Sequence, residues 1–270
     1  MNTLKGLMNP DLSTACHLLE QEPLRNLSTL KMLNHHPESV SFELHQGPDG
    51  WALLSLLDVR GSEWDRNAYP ACKYVAFING NSPSRKLQLL ASLPHENLVL
   101  KTGAEIIRKW VIQTGRGTRV MSFHSFTTRK QSTHVELDPS LRQSDTFDQT
   151  AWDMLRANGY EHDELARAFQ KGARWFGIEA EGRLATVCFV FQNYKQFWEL
   201  AGLYTHPAFR RRGLAKKTVF GALHYLAASG RVPRYQVKWN NHASISLAKA
   251  CGLLEFLRMD HYLLTPLTDK

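Results

Sequence analysis

Between positions 210 and 217 the chain carries five basic residues, Arg210, Arg211, Arg212, Lys216 and Lys217, and no acid. Gly213 and Ala215 are set among them, and together these types suit the holding of a phosphorylated ligand. A glycine removes the side chain where a phosphate must approach the backbone, and a small Ala215 keeps the first turn of a following helix slim. Unpaired N–H groups at that helix start then face the anion, with the helix dipole adding to the attraction. The loop is not a Walker loop, because no Gly-Lys-Ser/Thr occurs, and it lacks the Gly-x-Gly-x-x-Gly of the dinucleotide fingerprint. A solvated basic turn is the plain alternative for three arginines and a glycine taken alone. Context separates the two: Arg210-x-x-Gly213-x-Ala215 follows a strand and opens an amphipathic helix.

The elements that must position this loop are legible around it. Gln196 to Thr205 reads as the strand that leads into it, after strands Arg174–Ala180 and Arg183–Gln192 joined by Glu181 and Gly182. The helix that follows runs from about Leu214 to Ser229, with Ala215, Val219, Ala222, Leu223 and Leu226 on one face and Gly230 and Pro233 beyond its end. A strand Tyr235–Trp239, a helix His242–Cys251 and a strand Phe256–Leu264 complete the chain. Upstream, helices at Phe147–Ala157 and Asp163–Lys171 are split by Asn158 and Gly159. In the first half, helical spacing over Asp11–Leu33 is interrupted at Pro23. A hairpin follows, Val40–His45 and Trp51–Val59, with turn chemistry at Gln46 to Gly50. Strands at Tyr74–Ile78, Leu98–Leu100 and Val120–Phe123 alternate with helices at Ser84–Ser92 and Ala104–Gln113. A short strand, Thr133–Leu137, opens the second half. This order predicts an α/β (α+β) chain with a mixed central sheet flanked by helices, in two domains, 1–132 and 133–270.

The 270 residues are 43% hydrophobic and 21% charged, enough for buried cores. The net charge of +8 invites a nucleic-acid, membrane or phosphate-bearing partner. Residues 133–270 hold 18 Lys and Arg against 14 Asp and Glu, so without the five in the loop that half would be acidic; its surplus is local. Cys16, Cys72, Cys188 and Cys251 form no Cys-x-x-Cys pair and no dense disulfide framework, and the histidines have no metal-ligand spacing, so no metal is expected. No signal peptide and no run of about 18 apolar residues is visible. These features predict a cytoplasmic protein with no membrane partner. Few aromatics surround the basic loop and no reading motif occurs, which speaks against nucleic acid.

Residues from about 134 to 264 resemble a GCN5-related N-acetyltransferase (GNAT) domain. Arg210-x-x-Gly213-x-Ala215, preceded by Pro207 and Phe209, is similar to that family's acyl-CoA pyrophosphate loop. Asn241-x-x-Ser244-x-x-Leu247, followed by Lys249 and Gly252, is similar to its later motif, and the closing Cys-Gly-Leu resembles the FR47-like, glycine N-acyltransferase-like branch. The resemblance implies a GNAT fold preceded by a degenerate GNAT-like N-terminal domain. It also implies transfer of an acetyl or other acyl group from acetyl-CoA (coenzyme A) to a primary amine of a small molecule, such as an amino acid, by direct attack in a ternary complex. The cofactor residues it implies are Leu203, Tyr204 and Thr205 on the strand, Arg210, Arg211, Arg212, Gly213, Leu214, Ala215 and Lys216 in the loop, and Asn241 and Ser244 at the next helix. Asn241 reads equally well as an N-cap. The N-terminal half, whose only glycine-basic loop, Thr114–Arg119, leads into a strand, is expected to wall the acceptor cleft or to make a subunit contact, as in a homodimer.

An amine reaches the site as ammonium at neutral pH and must lose a proton before it attacks a thioester. Glu199 stands eleven residues before Arg210, where histone-acetylating members of the family carry a glutamate base; the alternative is a carboxylate paired to an arginine or sitting at the strand's wet end. Many members place a tyrosine acid after the leucine of the later motif, but that position here is Ala248, so Ser244 and Tyr262 are the substitutes, with Tyr262 also readable as a packing residue. Cys251 reads as a buried helix-end cysteine. Other readings are a catalytically silent CoA-binding sensor or scaffold, favoured by the missing tyrosine, and an acetyltransferase acting on a protein amine.

Overall fold

Alternating apolar residues and a tight turn start the sheet in the first half of the chain. The computed structural model describes residues 11–128 and 137–265. Helices α1 (Leu12–Leu19) and α2 (Leu27–His35) lead to β1 (Val40–Gly47) and β2 (Gly50–Asp58), an antiparallel hairpin in which Gly47 pairs with Gly50. The chain continues through α3 (Glu63–Ala68), β3 (Tyr74–Gly80), α4 (Pro83–Leu89), β4 (Leu98–Thr102), α5 (Glu105–Thr114) and β5 (Gly117–Thr127). The second half runs β6 (Leu141–Ser144), α6 (Gln149–Ala157), α7 (His162–Gln170), β7 (Arg174–Ala180), β8 (Arg183–Tyr194), β9 (Phe197–Thr205), α8 (Leu214–Ala228), β10 (Val232–Lys238), α9 (His242–Ala250) and β11 (Leu254–Leu264). The expected strand at 133–137 and the expected division at 132/133 fall on or beside residues outside the described ones. The chain forms two compact units, Met1–Phe123 with Arg258–Lys270, and His124–Leu257, so it passes between them inside β5 and again inside β11.

In the first unit the strands lie in the order β1, β2, β3, β4, then the last part of β11; β3 and β4 are parallel, while β11 runs antiparallel to β4. Ala52, Leu54, Ala76, Ile78, Leu98 and Leu100 pack there against Ile107 and Val111 of α5. In the second unit β10, β9, β8, β7 and β6 lie side by side, with only β9 and β10 parallel among them.

The second unit's sheet is covered on both faces, which explains the unbroken apolar run of β8. Cys188 and Val190 face Val219, Ala222 and Leu226 of α8 and Ala248 of α9. Val187 and Phe189 face Trp152 and Leu155 of α6 and Leu165 of α7. Successive strand residues point to opposite sides, so a doubly covered strand cannot show polar alternation. Each large side chain buried this way contributes about 1.5–3 kcal/mol relative to exposure.

Candidate acyl-coenzyme site

The parallel pair β9 and β10 opens partway along its length. Its register runs from Val232 against Phe197 to Tyr235 against Leu200, and there the pairing stops although β9 continues to Thr205 and β10 to Lys238. A bulge in β9 coincides with the opening: Phe189 of β8 opposes Ala201 and Val187 opposes Tyr204, so Gly202 and Leu203 share one place opposite Cys188. Gly202 has φ +65°, and a Cβ there would lie 2.7 Å from both the Phe189 ring and Leu155, so only glycine fits. Such bulges bend a strand and end its pairing. The result is a fork whose β9 arm carries Leu203, Tyr204 and Thr205. Their carbonyls accept hydrogen bonds from Asn158 Nδ2 (3.4 Å), Thr186 Oγ1 (3.0 Å) and Arg210 Nε (3.1 Å) respectively.

The basic loop follows directly. A 3₁₀ turn, Pro207–Phe209, buries the Phe209 ring beneath the guanidinium groups of Arg183 and Arg212, 4.7 and 5.1 Å from its centroid. Arg212 also pairs with Glu181 at 2.5 Å, and Lys217 pairs with Asp138 at 2.8 Å. Arg211 takes φ +63° and Gly213 φ +76°, and Gly213 is the N-cap of α8. The N–H groups of Arg211, Arg212, Gly213, Leu214 and Ala215 find no hydrogen-bond partner among the described residues. Lys216, expected to offer its N–H as well, gives it to the Gly213 carbonyl at 3.1 Å. Five unpaired, largely exposed amides at the head of a 15-residue helix, beside Arg211, have the donors and the dipole that suit an anion. Gly213 has open space where a Cβ would stand, room that suits a phosphate. The chemistry and shape of the loop and fork therefore fit a long ligand with a pyrophosphate at one end.

At the head of α9, Asn241 Oδ1 accepts the Ser244 N–H at 3.0 Å, so Asn241 is the N-cap. Ser244 also bonds through its side chain to the Tyr235 hydroxyl, and Tyr235 is buried beside Cys188, Ala248 and Cys251, where burial pushes its pKa to about 12. Burial likewise pushes the Cys251 thiol to about 11, which leaves it inert as a nucleophile and fits the reading of a buried helix-end cysteine.

Glu199 is buried one residue before the fork and its carboxylate is spoken for. Oε2 accepts from Arg234 Nε and from Asn193 Nδ2, both at 2.6 Å, and Oε1 accepts the Gln236 N–H at 3.1 Å. This is the arginine-paired arrangement. Three protein donors meet this group, two on Oε2 and one on Oε1, which leaves one of its four lone-pair sites, on Oε1, for a further donor. Tyr262 lies in the first unit's core, paired across to Leu100 and packed with Leu54, Ile78 and Ile107. That is a packing position.

The first unit contains a related segment. There β3 and β4 are parallel from Tyr74 against Leu98 to Phe77 against Lys101. At the start of α4 the Asp49 carboxylate takes the Ser82 and Ser84 hydroxyls, each at 2.7 Å, and the Arg85 guanidinium; these bonds hold its pKa well below the usual range. The Asn81 and Ser82 amides give their hydrogens to the Trp51 carbonyl. The last paired residue, Lys101, is buried against Asp65 at 2.5 Å among the rings of Trp64, Tyr69 and Phe77. Internal charges thus fill the places that the second unit leaves open.

The sequence reading does not single out Gly202, Arg234 or Asn193. A glycine inside an apolar strand was the available sign of the bulge. No group of three or more metal-ligating side chains occurs among the described residues, and none of the four cysteines is in a disulfide. No helix among them is long and apolar enough to cross a membrane.

Residues 140–253 match the family model described as the acetyltransferase (GNAT) family. No curated protein matches the chain. Among solved structures the chain is similar to a Drosophila melanogaster protein, at 13% identity and TM-score 0.61, with 97% of this chain and 99% of the other covered. It is also similar to a GCN5-related N-acetyltransferase from Sphaerobacter thermophilus, at 9% identity and TM-score 0.61, covering 98% and 97%. A tandem GNAT protein from the clavulanic acid biosynthesis pathway matches at 12% identity and TM-score 0.56, covering 96% of each chain. These likenesses extend the fold to the N-terminal unit. The architecture is a GNAT fold, with a mixed central sheet flanked by helices, and the first unit is of related build.

Proposed function

From a chain whose residues 140–253 form a GNAT-family acetyltransferase domain, we propose an N-acetyltransferase that moves the acetyl group of acetyl-CoA to a primary amine of a small molecule in a ternary complex. The observation that carries this reading is the set of five unpaired amides, Arg211 to Ala215, at the end of the strand arm where β9 leaves β10. The pyrophosphate would rest on those amides, and the pantetheine would lie along Leu203 to Thr205 in the fork. When bound, the coenzyme supplies a thioester, whose acyl carbon is open to attack by a neutral amine.

The remaining work falls to the chain. Arg210 closes the loop onto Thr205, while Arg212 and Lys217 are tied to Glu181 and Asp138, which leaves Arg211 to meet the phosphates. Glu199 and Arg234 clamp β9 to β10 just before the fork and hold its arms in place. Asn241 caps α9 and presents Ser244 beside Tyr235. The missing tyrosine at Ala248 favours one second reading, a CoA-binding sensor without turnover. The amine's membership of a small molecule is supported by the glycine N-acyltransferase-like end of the later motif, Leu247-Ala248 with Cys251-Gly252-Leu253, and four cysteines outside any disulfide fit a cytoplasmic setting.

Thiol release from acetyl-CoA, followed across a panel of amino acids, other small amines and peptides, tests the proposal. Release dependent on a small primary amine is expected. Release with peptides alone would move the acceptor to a protein, and coenzyme binding with no release under any amine would favour the sensor.

A further inference from the structure

One side chain from outside the sheet is fastened to the fork. Helix α6 ends in a C-terminal turn in which Gly159, at φ +93°, and Tyr160 give their N–H groups back to Arg156 and Leu155. This turn drops Tyr160 onto the sheet. Its ring meets Phe189 edge-on, with centroids 5.1 Å apart and planes at 87°, and the same Phe189 ring fills the space where a Cβ on Gly202 would stand. Asn158 in the same turn bonds to the Leu203 carbonyl, and the Tyr160 hydroxyl takes the Gly202 N–H. The α6–α7 connection is therefore latched to both bulge residues, at the point where the fork opens.

A hydroxyl that accepts an N–H still has its own proton to give. With the Gly202 amide behind it, that O–H is polarised and its direction is set. Burial holds the group well above the usual tyrosine range, so it stays protonated at any working pH and acts as a donor.

We propose that Tyr160 is a catalytic residue of the acyl-transfer site, whose hydroxyl, held by the Gly202 amide, donates a hydrogen bond to the acyl oxygen of the bound thioester. The inference rests on the acetyl-transfer reading above. In the step it serves, the amine nitrogen bonds to the acyl carbon and the carbon–sulfur bond breaks, with the electron pair leaving on sulfur. One amine proton passes to water, and the thiolate takes a proton from water. The Tyr160 proton is not transferred; it stabilises the charge that gathers on oxygen in the transition state, where removal of one such donor costs about 10²–10³ in rate. The α6–α7 turn thereby senses the acyl group itself.

The test compares wild type with Tyr160→Phe, which keeps the ring on Phe189. Affinities for acetyl-CoA and for free CoA are measured by calorimetry alongside steady-state turnover with the best amine. The expected result is unchanged affinity for CoA, a several-fold loss of affinity for acetyl-CoA, and a fall in kcat of at least ten-fold. Equal affinities for both ligands in the two proteins together with unchanged kcat would overturn the role of Tyr160 alone. If wild type binds neither ligand, the acetyl-transfer reading fails and the role of Tyr160 with it. Binding of both by wild type without turnover leaves the affinity ratio to decide on Tyr160 while removing the catalytic reading.

Discussion

At Gly213 the backbone conformation and the ligand make separate demands that one substitution can pull apart. Its φ of +76° strains any residue with a Cβ, yet that atom would meet nothing within 4 Å in the protein. Gly213→Ala should therefore lower stability by about 1–2 kcal/mol, while a methyl in the space left for phosphate weakens coenzyme binding at least ten-fold. Denaturant midpoints and coenzyme titrations on the same sample check both halves. Glu199→Gln makes an opposite pattern. The amide must turn an NH₂ toward one of the three donors that Glu199 now accepts, and Arg234 is left buried without its counter-charge. Loss of one partner of such a pair costs about 3–5 kcal/mol, so a lowered unfolding midpoint is expected. Unchanged stability with loss of one limb of the pH–rate profile would instead mark a base. Glu199 could be found by its spacing from Arg210, but its partner could not, because Arg234 arrives 35 residues later on a parallel strand.

Elements were legible where their pattern was apolar and periodic, and less so where it was not. The helix after Gly213 and the strands around it lie within a few residues of their expected bounds. Helix α3, Glu-Trp-Asp-Arg-Asn-Ala, and edge strand β6, Leu-Arg-Gln-Ser, went unread, since neither has an apolar face long enough to signal. The fork was also invisible, because the sequence shows that two strands exist but not where their pairing ends. Strand β11 carries a testable consequence of burial. His261 bonds to the Tyr69 hydroxyl at 2.5 Å, and burial together with the charge of Lys101 lowers its pKa to about 2. An unfolded histidine titrates near 6.5, so below that pH the unfolded chain binds a proton that the folded chain does not. The stabilisation is complete above pH 6.5 and drains away as pH falls toward 2, by at most about 1.4 kcal/mol per pH unit. His261→Gln should flatten this limb in unfolding curves taken between pH 6.5 and 4; an unaltered slope would assign it to other groups.

For the whole molecule, the two units meet the same problem in two ways. The second leaves five amides and a fork open, whereas the first fills the related places with Asp49 and with the Lys101–Asp65 pair. Of the net charge of +8, the second half's surplus belongs to one basic loop, while in the first Lys73, Arg85 and Lys101 are each paired with an acid. On the proposed function one coenzyme per chain is expected, a number that charge and composition alone do not distinguish from two. The most direct measurement is a calorimetric titration of acetyl-CoA into the full chain and into its Gly213→Ala variant. A single site per chain that the substitution weakens at least ten-fold is predicted; two equivalent sites, no binding, or a site indifferent to Gly213 would contradict the account.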